Sequence, residues 1–156
     1  MIHALALVAA PGMWADRHVH LALAGGVAFW LGMWLMLPLQ PVSVAQFLSG
    51  AYLYLALATP VLEELAFRGA LMGWFRDYAW GRTRILGVSR ANLMASVLFT
   101  AIHFAYHPPI WAAAVFIPSL LFGHLRDRHS SVWPPIVVHV FYNAGYFALA
   151  GVPAVG

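Results

Sequence analysis

The chain has 156 residues, enough for one domain of ordinary size and too few for two. It is 63% hydrophobic and 8% charged, with a mean hydropathy of +0.79; a soluble domain carries about 25% charged residues, so a water-facing globule and a disordered chain are both excluded. The charges are eight Arg, three Asp and two Glu, a net +3, and the lack of Cys excludes disulfides, thiolate metal sites and cysteine nucleophiles.

In chain order, Met1–Gly12 is apolar but too short to span, and it lacks the basic start of a signal peptide. An uncleaved interfacial segment is expected there. A membrane helix needs about 20 mostly apolar residues. The sequence predicts spans at roughly Leu21–Leu39, Phe47–Phe75, Ala91–Tyr106, Ile110–Leu125 and Trp133–Ala150. Pro38 and Pro41 end the first, Pro108 and Pro109 end the third, and Pro134 and Pro135 suit the first turn of the last. The expected fold is therefore all-α, a polytopic membrane helical bundle of about five transmembrane helices. Residues 1–20 form a short N-terminal interfacial segment. Residues 21–156 form a single transmembrane domain, with its motif-bearing core at 47–150.

The arginines outside the spans fall in three places. Arg17 precedes the first span, Arg76, Arg82, Arg84 and Arg90 follow the second, and Arg126 and Arg128 follow the fourth. The loops Gln40–Gln46 and His107–Pro109 carry no charge. The positive-inside rule then puts the N-terminus in the cytoplasm and reads the basic balance as orientation, not as a nucleic-acid patch. Trp74, Trp80, Trp111 and Trp133 lie near predicted span ends, where interfacial aromatics belong. Arg126-Asp127-Arg128 reads as a solvated anchor, and His124 and His129 as water-facing residues at the same edge.

Polar residues inside the spans carry the chemistry. The second span reads ATPVLEELAFRGALMGWF. A charge at mid-bilayer costs about 2.5–3.5 kcal/mol on insertion scales. Glu64 and Arg68 are four apart, share a helix face and can pair. Glu63 lies about 100° round the helix and has no local partner. A buried carboxylate free of a pair suits a general base. Pro60, one turn earlier, frees a backbone carbonyl and bends the helix beside Glu63. His103 lies inside the third span, and His139 and Asn143 share a face of the fifth. Counted from the cytoplasmic ends, Glu63 and His103 are about 18 Å deep, Asn143 about 15 Å and His139 about 9 Å. Polar groups from three helices thus meet in one layer, which favours a functional site over packing.

Glu63-Glu64-x-x-x-Arg68, Phe99-x-x-x-His103 and His139-x-x-x-Asn143, in that order on separate helices, resemble the CPBP family of glutamate-dependent intramembrane proteases. This family, also called the Abi or CAAX-protease family, includes the Rce1-type prenyl-protein endopeptidases, and the resemblance covers residues 47–150. It implies a peptidase that needs no cofactor, with residues 21–156 as its catalytic domain. Glu63 would be the base that activates water, His103 would hold or polarise that water, and His139 and Asn143 would stabilise the oxyanion. Glu64 and Arg68 would brace the site. The implied partners are the lipid bilayer and a membrane-anchored protein or peptide, cut near its C-terminal or membrane-embedded part, with no nucleic acid. The Arg-only, Ala-rich composition points to a bacterial genome, so the expected location is the bacterial inner membrane. The chain's modest length is similar to that of members paired with C-terminal sorting signals of the JDVT-CTERM kind, and immunity-type roles also occur in the family.

Three other readings compete: a zinc protease, a proton-relay transporter subunit, and a non-enzymatic immunity-type membrane protein with a vestigial site. His103-x-x-x-His107 has the spacing of two zinc ligands, and a zinc protease would draw on His103, His139 and Glu63. The glutamate of an HExxH motif is missing, because Phe104 and Ala105 follow His103. A proton-relay transporter subunit would also bury Glu and His, but strung across the membrane instead of gathered in one layer.

Overall fold

The computed structural model describes residues 5–152. A 3-10 turn, Pro11–Ala15, leads into α1, Arg17–Met36. Asp16 caps α1 by accepting the His18 backbone N–H at 2.9 Å. After the one-turn helix Val44–Phe47 comes α2, a continuous helical stretch over 50–77. It begins at Ser49, whose hydroxyl accepts the Tyr52 N–H. Within α2 the α-helical pieces Gly50–Leu53, Thr59–Glu64 and Met72–Asp77 alternate with π-helical turns at Tyr54–Ala58 and Leu65–Leu71. A short turn, Ala79–Arg82, leads to a hairpin of β1, Arg84–Ile85, and β2, Val88–Ser89. Then come α3, Arg90–His103, capped by Ser89, and α4, Pro109–His129, interrupted at Val115. The last is α5, Trp133–Ala150, with Pro134 and Pro135 in its first turn.

The five long helical segments expected from the sequence are present among the described residues. By length and composition, α1 and α4 are long and apolar enough to cross a membrane. At 14 residues, α3 is shorter than the span expected at Ala91–Tyr106, because the chain leaves the helix after His103. The interfacial segment expected over Met1–Gly12 lies outside the described residues as far as residue 4. Beyond it, Ala6 is buried against Val132 and Ile136, and its carbonyl accepts the Val132 N–H.

Helix α5 is central: it packs on α1, on the first half of α2 and on α4, while α3 packs on α4 and the second half of α2. Tyr142 of α5 donates to the Ala22 carbonyl of α1 at 2.7 Å, and Tyr52 of α2 donates to the Ala144 carbonyl of α5 at 2.9 Å. Gly123 of α4 faces Asn92 of α3, and a Cβ there would collide with the Asn92 amide. That amide donates to the Leu120 carbonyl at 3.0 Å and accepts from Ser96 at 3.1 Å.

The distribution of side chains is inverted relative to a soluble protein. Leu35 and Ile110 are 81% and 88% exposed, whereas Glu64 and Arg68 are 0% exposed. Ser96, Ser119 and Asn92 are also buried. Large apolar residues outside and hydrogen-bonded polar residues inside suit hydrocarbon, not water, as solvent.

Candidate active site

The site forms where α2, α4 and α5 meet. Glu64 is fully buried, and its Oε1 accepts from Arg68 Nη1 at 3.1 Å, one helical turn on. The same Oε1 lies 2.8 Å from His139 Nδ1 of α5. The other ring nitrogen, Nε2, faces Glu63 Oε2 at 3.6 Å. His139 thus stands between the two carboxylates. Glu63 is the accessible one, its side chain 28% exposed against 0% for Glu64. The 100° turn between neighbouring residues accounts for the split: one carboxylate turns into the packed interior and the other to its edge.

Arg68 is held from several directions. Its Nη2 donates to the Ser119 carbonyl at 2.9 Å and to the Ser119 hydroxyl at 2.7 Å. Its guanidinium carbon lies 4.7 Å from the Phe99 ring centre and 5.5 Å from that of Phe122, within the range of cation–π attraction. The Phe122 ring also stacks on His139, with centroids 4.6 Å apart at 21°. A chain of contacts therefore runs Ser119–Arg68–Glu64–His139–Glu63, walled by two phenyl rings.

The two π-helical turns of α2 flank Glu63 and Glu64. In the first, the Thr59 N–H reaches back five residues to the Tyr54 carbonyl. The same register would assign the Leu55 carbonyl to residue 60, but Pro60 has no N–H. Asn143 of α5 fills that place, donating from Nδ2 to the Leu55 carbonyl at 3.2 Å. In the second, Arg126 Nε donates to the Arg68 carbonyl at 3.2 Å. π-bulges are uncommon and occur often at functional sites.

The structure brings Glu63, Glu64, Arg68 and His139 into direct contact, and it ties Asn143 of α5 to α2 one turn before Pro60. His103 stands to one side. Its Nδ1 meets the Phe99 carbonyl of its own helix at 2.8 Å, and its ring stacks on His107 at 5.5 Å. It reaches the group through Phe99, whose ring centroid is 4.5 Å from His103 and 6.1 Å from His139. Among the described residues no three His, Asp or Glu side chains are gathered as a metal ion's ligands would be, the set Glu63, His103 and His139 included. An open apolar groove of about 500 Å³ runs between α2 and α3, lined by Ala66, Phe67, Leu71, Leu98, Ala101 and Ile102.

Two participants escaped the sequence reading. Ser119 sits in an apolar helix and carries no charge to mark it. Arg126 was expected in a solvated anchor, but it is 6% exposed and turned inward to the Arg68 carbonyl. Of its neighbours only Arg128 keeps to the edge, 44% exposed and paired with Asp16, whereas the Asp127 side chain is 3% exposed and paired with Arg76. His129 is turned to Asp16 as well, with Nε2 2.9 Å from Oδ2 and a side chain only 12% exposed.

The model of the family described as "Type II CAAX prenyl endopeptidase Rce1-like" matches residues 45–145. An "Uncharacterized 24.3 kDa protein" of Escherichia coli is 30% identical over 120 residues, a match covering 72% of this chain and 52% of that protein. The chain thus spans about half the length of the curated relative it matches. No solved structure matches it.

Proposed function

The chain belongs to the Rce1-like family of type II CAAX prenyl endopeptidases, and we propose that it is an intramembrane endopeptidase in which Glu63 activates water. The observation that carries this reading is the unequal pair of carboxylates around His139. Glu64 is neutralised by Arg68 and fully buried, whereas Glu63 is partly open and bound to no cation of its own helix. Glu63 removes a proton from water, and the hydroxide oxygen bonds to the carbon of the scissile carbonyl. The carbonyl oxygen becomes an oxyanion. The amide of Asn143, which has a second N–H beyond the one given to Leu55, donates to it. His139 donates from Nε2 when both its ring nitrogens carry protons. Collapse breaks the carbon–nitrogen bond, and the proton held by Glu63 passes to the departing amine.

Glu64 has a distinct part. By holding Nδ1 it fixes the imidazole plane and turns Nε2 to the reacting side, as a buried carboxylate does for a catalytic histidine elsewhere. His103 helps hold the water from α3. The groove between α2 and α3, whose wall begins at Ala66 one turn along α2 from Glu63, offers an apolar berth for the membrane-embedded part of a substrate protein. We assign the N-terminus to the cytoplasm on the arginine distribution, and the protein to a bacterial inner membrane on its Arg-only, Ala-rich composition. The reading uses no metal or other cofactor. A substrate with a C-terminal hydrophobic anchor is consistent with the apolar groove.

The test compares the C-termini of membrane-anchored proteins in cells expressing wild type or Glu63→Gln at equal levels. A truncated or released product is expected with wild type alone. Equal product from both would remove Glu63 from the mechanism. No product from either would remove the protease reading in that host.

A further inference from the structure

The hairpin between α2 and α3 breaks two local rules at one residue. Its two-residue loop is Leu86-Gly87, with φ of +50° and +83°. Both values are left-handed, as the tightest hairpin turns require, and Asn, Asp or Gly is the usual first residue there. Leu gains nothing from that conformation. It is also 100% exposed, so the strained backbone presents an apolar side chain that touches nothing in the protein. Ile85 beside it is 46% exposed. Where a sequence breaks local rules without a compensating contact inside the fold, the compensation is to be sought outside it.

The surroundings say what lies outside. Arg82, Arg84 and Arg90 are exposed and pair with no carboxylate among the described residues. Arg82 donates to the Arg76 carbonyl and Arg84 to the Gly87 carbonyl, neutral acceptors that leave both charges uncompensated. Asp77 is the single acid in residues 77–90. Trp74, Tyr78 and Trp80 are exposed just before the hairpin, with the Trp74 and Tyr78 rings 5.6 Å apart. Aromatics of this kind gather at the level of lipid headgroups. An apolar tip of two residues is too small for a specific protein interface, which buries about 800 Å² per partner. A leaflet, by contrast, accepts single apolar side chains, and its anionic headgroups attract nearby arginines.

We propose that this hairpin is a membrane-surface foot: Leu86 and Ile85 enter the leaflet, and Arg82, Arg84 and Arg90 bind the phosphates of anionic phospholipids. The foot fixes the depth of the end of α2 and the start of α3. It does not depend on the proteolytic reading and stands or falls separately.

The chain has no Cys, so Leu86→Cys places one environment-sensitive fluorophore at the tip of the full chain. In nanodiscs of phosphatidylcholine with phosphatidylglycerol, the emission is expected to shift to the blue and to be quenched by spin-labelled lipid. Quenching by aqueous iodide should be several-fold weaker than on an Arg82→Gln/Arg84→Gln background. Strong iodide quenching with no lipid quenching would overturn the proposal. Because the label replaces the residue in question, trypsin cleavage after Arg82 and Arg84 of the unlabelled chain gives a second test. It should be several-fold slower in anionic than in neutral discs. Leu86→Asn, which suits the turn, should melt no lower in detergent and should lose that protection. Protection equal to wild type in Leu86→Asn would also overturn the proposal.

Discussion

Arg68 is the residue on which the interior of the site depends. It neutralises Glu64, is bound by Ser119 and lies between two aromatic rings. Arg68→Met keeps the volume but leaves the Glu64 carboxylate buried without its cation. Breaking a buried pair in this way costs about 3–5 kcal/mol. The expected result is a large fall in melting temperature in detergent, with the Glu64→Leu/Arg68→Met double variant more stable than the single one. A single variant as stable as wild type would mean that Arg68 is not what stabilises the buried Glu64 carboxyl, which His139 also contacts. Ser119→Ala should cost less, about 1.5–3 kcal/mol for one hydrogen bond to a charged group. Much of this was legible in the sequence, because a four-residue spacing on one helix fixes which side chains can meet. The partner of Glu63 was not, since no local rule says that a histidine 76 positions later, His139, will face it. Ser119 was invisible for the same reason, as its value comes entirely from the guanidinium opposite.

The helices of the bundle were legible as apolar runs closed by prolines. Trp133–Ala150 matches its predicted bounds, and α1 begins four residues before its expected start because Asp16, not Leu21, opens it. The two π-helical turns of α2 were not legible. Nothing in ATPVLEELAFRG departs from an ordinary helical pattern except Pro60, and the second turn contains no proline. Side chains of other helices meet carbonyls in both: Asn143 at Leu55 and Arg126 at Arg68. The Arg126 contact closes on the backbone of the same residue whose side chain pairs with Glu64. Removing the guanidinium in Arg126→Gln should cost about 1.5–3 kcal/mol. It should also lower cleavage more than stability alone accounts for, while Arg128→Gln, at the exposed neighbour, changes cleavage little. Measuring turnover and melting for both variants checks this. Equal turnover in the two would show that the second π-helical turn holds itself.

Helices in hydrocarbon gain little from apolar burial, so close packing and polar clasps must specify how they assemble. The clasps here join helices far apart in sequence: Arg68 to Ser119, His139 to Glu64, Tyr142 to Ala22. One more lies outside the spans. Asp16 caps α1, meets Arg128 at the end of α4, and has His129 Nε2 at 2.9 Å. The Arg128 guanidinium, with the His18 backbone N–H, holds the Asp16 carboxyl well below the usual carboxylate range, although burial opposes this. A carboxyl depressed in the folded state stabilises the fold at every pH above its ordinary value of 3.8. That contribution declines as pH falls below about 4, as the unfolded chain takes up a proton that the folded chain refuses. The melting temperature in detergent should therefore drop as the pH is lowered through that range. The drop should be shallower in Asp16→Asn, which keeps the cap but has no charge to lose. Parallel curves for the two proteins would mean that the charge of Asp16 adds nothing to the clasp between α1 and α4.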